Sequence, residues 1–201
     1  MTKDLKTEER IIKSAKEVFV RKGMAGARMQ EIADHAGINK ALLHYYYRSK
    51  DQLFSAIFKD TMSEFLPTLF STLVKDIPLE AKIYTLAEAY IEFFRANPYM
   101  PMFILSEIQR DPEGLLRLFH VKQHLKFDVL QKQLEEGAAS GSIRPISVKM
   151  FMTNLMSMLV FPFVAKPMLT GLMGLADPKF DEFMEVRKTE VPKFIMNALR
   201  P

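Results

Sequence analysis

The chain has 201 residues, 48 % of them hydrophobic, so it can bury a substantial core and is too apolar for a disordered protein. It contains no cysteine, which excludes disulfides, cysteine-ligated metal or iron–sulfur sites, and thiol catalysis. Residues 1–50 carry a net charge of +5 and the remainder carries −1, which indicates either a polyanionic partner for the first part or simply a solvated basic surface.

The amino-terminal residues are charged where a signal peptide needs an apolar segment. The longest uncharged run, between Lys149 and Lys166, has 16 residues, whereas a membrane span needs about 20. We therefore expect a cytoplasmic protein without a membrane span, in which this run is a buried helix.

Helical periodicity dominates the whole chain and predicts an all-α fold. The first helix is predicted to begin at Thr7, whose hydroxyl would cap the amide of Arg10, and to end at Lys22-Gly23. Two short helices are predicted over 29–35 and 40–46. Longer helices are predicted over 51–66 with a kink near Pro67, 79–96, 102–109, 112–136, 147–172 and 178–199.

The two short helices flank Gly37, which is expected to take a positive φ and reverse the chain. Ile32, Ala36, Ile38, Leu43 and Tyr46 fall on inward positions, Ala33 is small enough for a close helix crossing, and Asn39 can cap the second helix. This combination favours a helix-turn-helix over an incidental helical hairpin.

In a major groove, the second short helix would point Lys40, Ala41, Leu42, His44 and Tyr45 toward DNA. A tyrosine at this boundary can pack its ring on the core while its hydroxyl reaches a phosphate. Tyr47 is expected to pack inward, Tyr45 and Tyr46 to contact backbone or bases, and Lys50 to neutralise a phosphate. The alternative is that these aromatic residues are only the core of a small domain.

Residues 10–58 include RIIKSAKEVFVRKG and MQEIADHAGINKALLHYYYRSKDQLF, and they resemble the DNA-binding head of the tetracycline-repressor (TetR) family of bacterial regulators. The resemblance implies a dimer of all-helical subunits, whose small head reads a near-palindromic operator and whose larger body binds a small-molecule inducer. The predicted domains are 1–50, with the helix-turn-helix at about 29–48, and 51–201. The predicted DNA contacts are Arg28, Met29, Gln30, Asn39, Lys40, Ala41, Leu42, His44, Tyr45, Tyr46 and Lys50.

The sequence departs from the family pattern at three sites, which comprise five residues. Ala27-Arg28 stands where threonine or serine is usual, so the helix cap and the phosphate contact are expected to pass to Arg28. The usual tyrosine and histidine are exchanged as His44-Tyr45, and Leu42 replaces a frequent threonine. A leucine can touch a thymine methyl but cannot donate a hydrogen bond, so the operator cannot be copied from relatives.

Residues 51–201 hold 15 of the 16 phenylalanines and 11 of the 14 methionines. The resemblance implies an inducer pocket, and this composition suggests a hydrophobic or aromatic ligand, although plain core or dimer interface explains any one residue equally well. The predicted pocket residues are Phe93, Met102, Phe103, Leu116, His120, His124, Phe127, Gln131, Met152 and Met156. His120 and His124 have metal-ligand spacing but no obvious third ligand, so we predict no metal or cofactor. Whether the two histidines contact a ligand, bind a metal, or form a satisfied or exposed pair stays open.

The last two predicted helices are expected to pair with their copies in a second subunit, because the first of them is too apolar to face water. The predicted interface residues are Met158, Phe161, Phe163, Phe183, Val186 and Phe194. Pro162, Pro167 and Pro192 are expected to bend these helices or remove hydrogen bonds.

The leading interpretation is a transcriptional repressor that a hydrophobic effector releases from its palindromic operator. The alternative is a helical carrier or adaptor for apolar molecules that binds no DNA. An enzyme is not expected, since the sequence has no nucleophile elbow, phosphate loop or HExxH motif.

Overall fold

The computed structural model describes residues 2–121 and 125–201. Within these ranges the chain forms eleven α-helices and no strand, which confirms the predicted all-α class. The helices are α1 (Thr2–Gly26), α2 (Met29–His35), α3 (Lys40–Tyr46), α4 (Lys50–Val74), α5 (Leu79–Ala96), α6 (Met100–Arg110), α7 (Pro112–Leu118), α8 (Asp128–Ala139), α9 (Val148–Val164), α10 (Lys166–Met173) and α11 (Lys179–Leu199).

The chain divides into two compact units, which we call the head (up to Glu64) and the body (from Phe65). The division lies inside α4, whereas the predicted boundary after residue 50 coincides with the start of that helix. As a functional boundary, residue 50 stays a prediction.

The core of the head is formed by one apolar stripe from each of its helices. The rings of Phe19 and Phe54 meet edge to face with their centroids 4.9 Å apart. The residues that are fully buried with them include Ile11, Val18, Ile32, Ala33, Leu43, Leu53 and Ile57.

The body is organised around α5, which packs against α9 and α11. The ring of Phe163 lies 5.3 Å from that of Phe94 and 5.7 Å from that of Phe180, so α5, α9 and α11 meet in one aromatic cluster. Other buried residues of these three helices are Leu86, Ile91, Phe151, Leu155, Leu159 and Met184.

The start of the first helix was predicted wrongly. Helix α1 already begins at Thr2, so Thr7 lies inside it and does not cap it. The predicted end is confirmed, because Gly23 has φ +67° and interrupts the helical geometry before one last turn up to Gly26.

The predicted single helix over 112–136 is wrong. Helix α7 ends at Leu118, the backbone at His120 has φ +50°, and α8 begins only at Asp128. A positive φ cannot continue a right-handed helix. Leu116 and Gln131 therefore do not lie on one continuous helix, and His124 lies outside the described residues.

Two further helices differ from the prediction at prolines. Helix α4 continues through Pro67 to Val74 instead of ending near Leu66. The predicted helix over 147–172 is two helices, α9 and α10, with a bend of 72° between them. Pro167 lies in the first turn of α10, where its missing N–H favours a new helix start over continuation.

No single helix among the described residues is long and apolar enough to cross a membrane. In this described part of the chain, one bent pair of helices, α9 and α10, meets that criterion of length and composition when the two are taken together.

Candidate nucleic-acid interface

The turn between α2 and α3 is built around Gly37, which has the predicted positive φ of +63°. The amide of Ile38 donates to the carbonyl of Ala33 (3.0 Å) and the amide of Gly37 to that of Asp34 (3.1 Å). This pair of bonds is the Schellman arrangement, which satisfies the last carbonyls of α2 and requires a left-handed residue at this point. The chain therefore reverses within four residues.

Asn39 caps α3 as predicted. Its side-chain Oδ1 accepts a hydrogen bond from the amide of Leu42 at 2.7 Å, and its own backbone is extended. Arg28 does not take over the equivalent role on α2, because it lies at the cap position without a side-chain cap hydrogen bond. Arginine has only donors, whereas a helix amino terminus needs an acceptor.

Helix α3 has one inward and one outward side. Leu43 is fully buried in the core of the head. The outward residues are all exposed, namely Lys40, Ala41, Leu42, His44 and Tyr45. Five neighbouring positions of a seven-residue helix are thus available to a macromolecule, and among their side chains are an ammonium, an imidazole and a phenol.

The three consecutive tyrosines occupy three different environments. Tyr47 is buried, as predicted, and its hydroxyl donates to Oε1 of Glu8 at 2.8 Å. Burial and this hydrogen bond raise the pKa of Tyr47. Tyr46 is half-buried, and its ring meets that of Tyr45 edge to face at 5.5 Å. Tyr45 itself is 80 % exposed.

Polar contacts hold the remaining helices of the head around this turn. Nη2 of Arg21 and Nζ of Lys22 donate to the two carboxylate oxygens of Glu31 at 3.1 and 2.9 Å, and thereby join α1 to α2. The hydrogen bond from Lys22 is the main reason why the pKa of Glu31 lies below its usual value. Lys16 of α1 binds Asp60 of α4 at 2.7 Å.

The roles of these supporting residues and of Glu8 were not predicted from the sequence. Their partners lie 9 to 44 residues away in the chain, so no helical spacing connects them. The predicted phosphate ligand Lys50 is also engaged, since its Nζ donates to the carbonyl of Ala27 at 3.2 Å. Gln30 likewise donates to Asp34 within α2 at 2.8 Å, and Met29 is half-buried.

The residues predicted to line an effector pocket lie on the five helices α5 to α9 of the body and in the segment between α7 and α8. Phe93 stacks on Phe65 with centroids 4.0 Å apart. Met102, His120 and Gln131 are exposed. Phe103, Leu116, Phe127, Met152 and Met156 are half-buried. The described residues contain no group of three or more histidine, aspartate or glutamate side chains that could hold a metal ion.

The residues predicted for a dimer interface lie on α9 and α11. Phe161, Val186 and Phe194 are exposed by 54, 57 and 61 %. Met158 and Phe183 are half-buried, and the ring of Phe163 belongs to the aromatic cluster inside the body. A groove of about 430 Å³ between the two helices is lined by Met158, Arg187 and Phe194, among others.

Comparison with known proteins gives concordant results. Residues 11–57 match the family model described as bacterial regulatory proteins, tetR family. The chain is 21 % identical over 197 residues to the probable HTH-type transcriptional regulator YttP of Bacillus subtilis, with 96 % of this chain and 94 % of YttP covered. It is 32 % identical over 149 residues to the HTH-type transcriptional repressor NicS of Pseudomonas putida, with 70 % of this chain and 61 % of NicS covered.

The fold is also similar to that of the transcriptional regulator FadR from Bacillus subtilis, solved in complex with stearoyl-CoA. The TM-score is 0.63 at 16 % identity, and 96 % of this chain and 99 % of the other are covered.

Proposed function

This chain belongs to the TetR family of bacterial regulatory proteins, and we propose that it is a dimeric repressor that a hydrophobic effector releases from a palindromic operator. It is a helix-turn-helix transcriptional regulator and not an enzyme.

The observation that carries the proposal is the outward side of α3. Leu43 and Tyr47 anchor the helix in the core, Asn39 caps its start, and five consecutive or nearly consecutive side chains remain exposed. A short, rigidly held helix with an exposed polar and basic side is what major-groove reading requires. We propose that Lys40, Ala41, Leu42, His44 and Tyr45 face base edges.

Other predicted contacts fit the phosphate backbone better than the bases. Arg28 is exposed at the start of α2, and its guanidinium is not used for capping. The half-buried hydroxyl-bearing ring of Tyr46 borders the exposed ring of Tyr45. Lys50 would have to exchange the Ala27 carbonyl for a phosphate oxygen, so we expect it to contribute less than Arg28.

An apolar effector is supported by the composition of the body, which holds most of the phenylalanine and methionine residues. FadR, which has a similar fold, was solved in complex with stearoyl-CoA, a ligand with a long acyl chain. The similarity to NicS, which is a transcriptional repressor, supports a repressor role. Effector binding would favour a body conformation whose paired heads no longer match the operator spacing.

The decisive experiment is selection of duplexes from random DNA by the wild-type protein, followed by affinity measurements at several salt concentrations. We expect a near-palindromic sequence to be enriched and its affinity to fall steeply as salt rises, because phosphate neutralisation releases counterions. Lys40→Ala should weaken binding, whereas Lys132→Ala, an exposed lysine on α8, should not. If no sequence is enriched and duplex binding is independent of salt, the carrier alternative is favoured.

A further inference from the structure

Leu42 is the one large aliphatic side chain on the outward side of α3, where it is 37 % exposed. Its neighbour Leu43 is fully buried, so the core of the head does not need a second leucine at this point. An exposed leucine in the middle of a polar and basic surface gains nothing from water. On a surface that contacts DNA, burial of this side chain against an apolar group of the duplex would be favourable.

Leu42 also offers no free hydrogen-bond donor to a partner. The leucine side chain has none, and the backbone amide of Leu42 is already bonded to Oδ1 of Asn39 at 2.7 Å. Phosphate oxygens and the acceptors of guanine and adenine need a donor, and covering them with an aliphatic group would leave them unsatisfied at a cost. Contact between Leu42 and a phosphate oxygen or a purine acceptor would therefore be unfavourable.

In the major groove the single apolar group is the 5-methyl of thymine. We propose that Leu42 reads this methyl, so that each operator half-site contains a thymine whose selection depends on the leucine. This inference rests on the proposed role of α3 in DNA reading, and it adds the base identity at one position of the operator.

The test uses the duplex that the full-length protein selects from random DNA. Each thymine of one half-site is replaced in turn by deoxyuridine, which keeps the pairing edge and lacks only the methyl. Affinities are measured by fluorescence anisotropy at one fixed salt concentration. One replacement should weaken wild-type binding about fourfold, the value expected for one buried methyl, and should have no effect on Leu42→Ala.

Val20→Ala is the matched control, since Val20 is an exposed aliphatic residue of α1 in the same unit. It should bind the operator like the wild type and keep the full response to deoxyuridine. Circular dichroism and thermal unfolding of Leu42→Ala check that the head is folded, as expected for truncation of an exposed side chain.

A second variant gives an independent readout if Leu42→Ala binds too weakly to measure. Leu42→Gln replaces the methyl-reading group by an amide, which pairs best with adenine. Repeating the selection with it should change the preferred base at the position of the sensitive thymine and leave the other positions as they were.

The outcomes separate this inference from the proposed function. If an operator is enriched but deoxyuridine affects the wild type and Leu42→Ala equally, or Leu42→Gln selects the same sequence, the thymine reading is overturned while DNA binding stands. If no operator is enriched by the wild type, the proposed function fails first.

Discussion

At the scale of single residues, Asn39 determines where α3 begins. Its Oδ1 satisfies one of the amides that a helix start leaves without an intrahelical partner. Asparagine and aspartate serve this purpose almost equally well, whereas alanine has no acceptor. The orientation of the first turn of α3 therefore depends on one oxygen atom.

We expect Asn39→Ala to lower the unfolding free energy of the head by about 1 kcal/mol. Amide hydrogen exchange at Leu42, whose N–H loses its partner, should accelerate. Asn39→Asp keeps the acceptor and should behave like the wild type in both measurements. Equal exchange at Leu42 in all three proteins would show that the cap does not stabilise α3.

Tyr47 makes the folding stability of the head depend on pH. Burial and the hydrogen bond to Glu8 raise its pKa above the ordinary value of 10.0, so the folded head keeps the phenol protonated where an unfolded chain ionises it. The resulting stabilisation is fully present below pH 10.0 and is lost as the pH rises above that value toward the folded pKa.

Urea unfolding at pH 8 to 11 should accordingly show a steeper loss of stability for the wild type than for Tyr47→Phe. At neutral pH the same substitution should cost about 1 kcal/mol, the net value of one hydrogen bond. Tyr45→Phe alters an exposed ring and should keep the wild-type pH dependence. Parallel curves for wild type and Tyr47→Phe would contradict this role of Tyr47.

At the scale of helices, α9 lacks one internal hydrogen bond, and a side chain of α11 supplies the missing donor. Pro162 has no N–H, so the carbonyl of Met158 four residues earlier lacks its intrahelical donor. Nη2 of Arg187 donates to this carbonyl at 2.5 Å. Burial lowers the pKa of Arg187, which is the cost of placing the guanidinium between the two helices.

A double-mutant cycle tests this interaction. Arg187→Met should destabilise the body by about 1–3 kcal/mol, because it leaves the Met158 carbonyl unsatisfied. In the background of Pro162→Ala the same change should cost much less, since the introduced alanine brings its own N–H. Chemical denaturation measures both, and Lys193→Met is the control for losing an exposed cation from α11. Additive effects would mean that Arg187 acts independently of the proline.

Another contact between helices joins α4, α5 and α8. The buried ammonium of Lys82 donates to the carbonyl of Leu73 (3.0 Å) and to Oε1 of Gln133 (2.7 Å), and Nε2 of Gln133 donates to the carbonyl of Ile77 (2.6 Å). Burial lowers the pKa of Lys82, although Asp76 opposes this shift. The end of α4 and the loop after it thus depend on one polar pair.

We expect Gln133→Leu to lower the unfolding free energy of the body by about 1–3 kcal/mol, because the buried ammonium loses an acceptor. Adding Lys82→Met should restore part of this loss, since no buried charge is then left with incomplete hydrogen bonding. Lys132→Met, an exposed change on α8, should be neutral in urea unfolding. A double variant less stable than Gln133→Leu alone would contradict this explanation.

At the scale of the whole molecule, charge and apolar surface are distributed differently along the chain. The basic excess lies in residues 1–50, whereas the exposed phenylalanines Phe161 and Phe194 lie on α9 and α11 of the body. A regulator that reads a palindrome needs two copies, so we expect the exposed apolar residues of the body to form the contact between them.

Phe161→Glu with Phe194→Glu should therefore convert a dimer into a monomer in analytical ultracentrifugation. The same variant should bind the selected operator at least about tenfold more weakly, because one head alone contacts half of the site. Leu118→Glu, an exposed apolar position on α7, is the control and should leave the assembly unchanged. A double variant that stays dimeric would move the interface elsewhere.

The amino-acid sequence by itself determined the helical class and the helix-turn-helix with its glycine turn and asparagine cap, because these depend on interactions within a few residues. The inward direction of Tyr47 was also predicted, but its partner Glu8 was not. The break at His120 was not foreseen, since apolar periodicity continues across it. Pro162 and Pro167 were expected to bend the predicted helix over 147–172, but its division into α9 and α10 was not predicted. Only the tertiary structure decided that Glu8, Arg187 and Gln133 find partners far along the chain, because buried polar groups must be satisfied by whatever packing brings near.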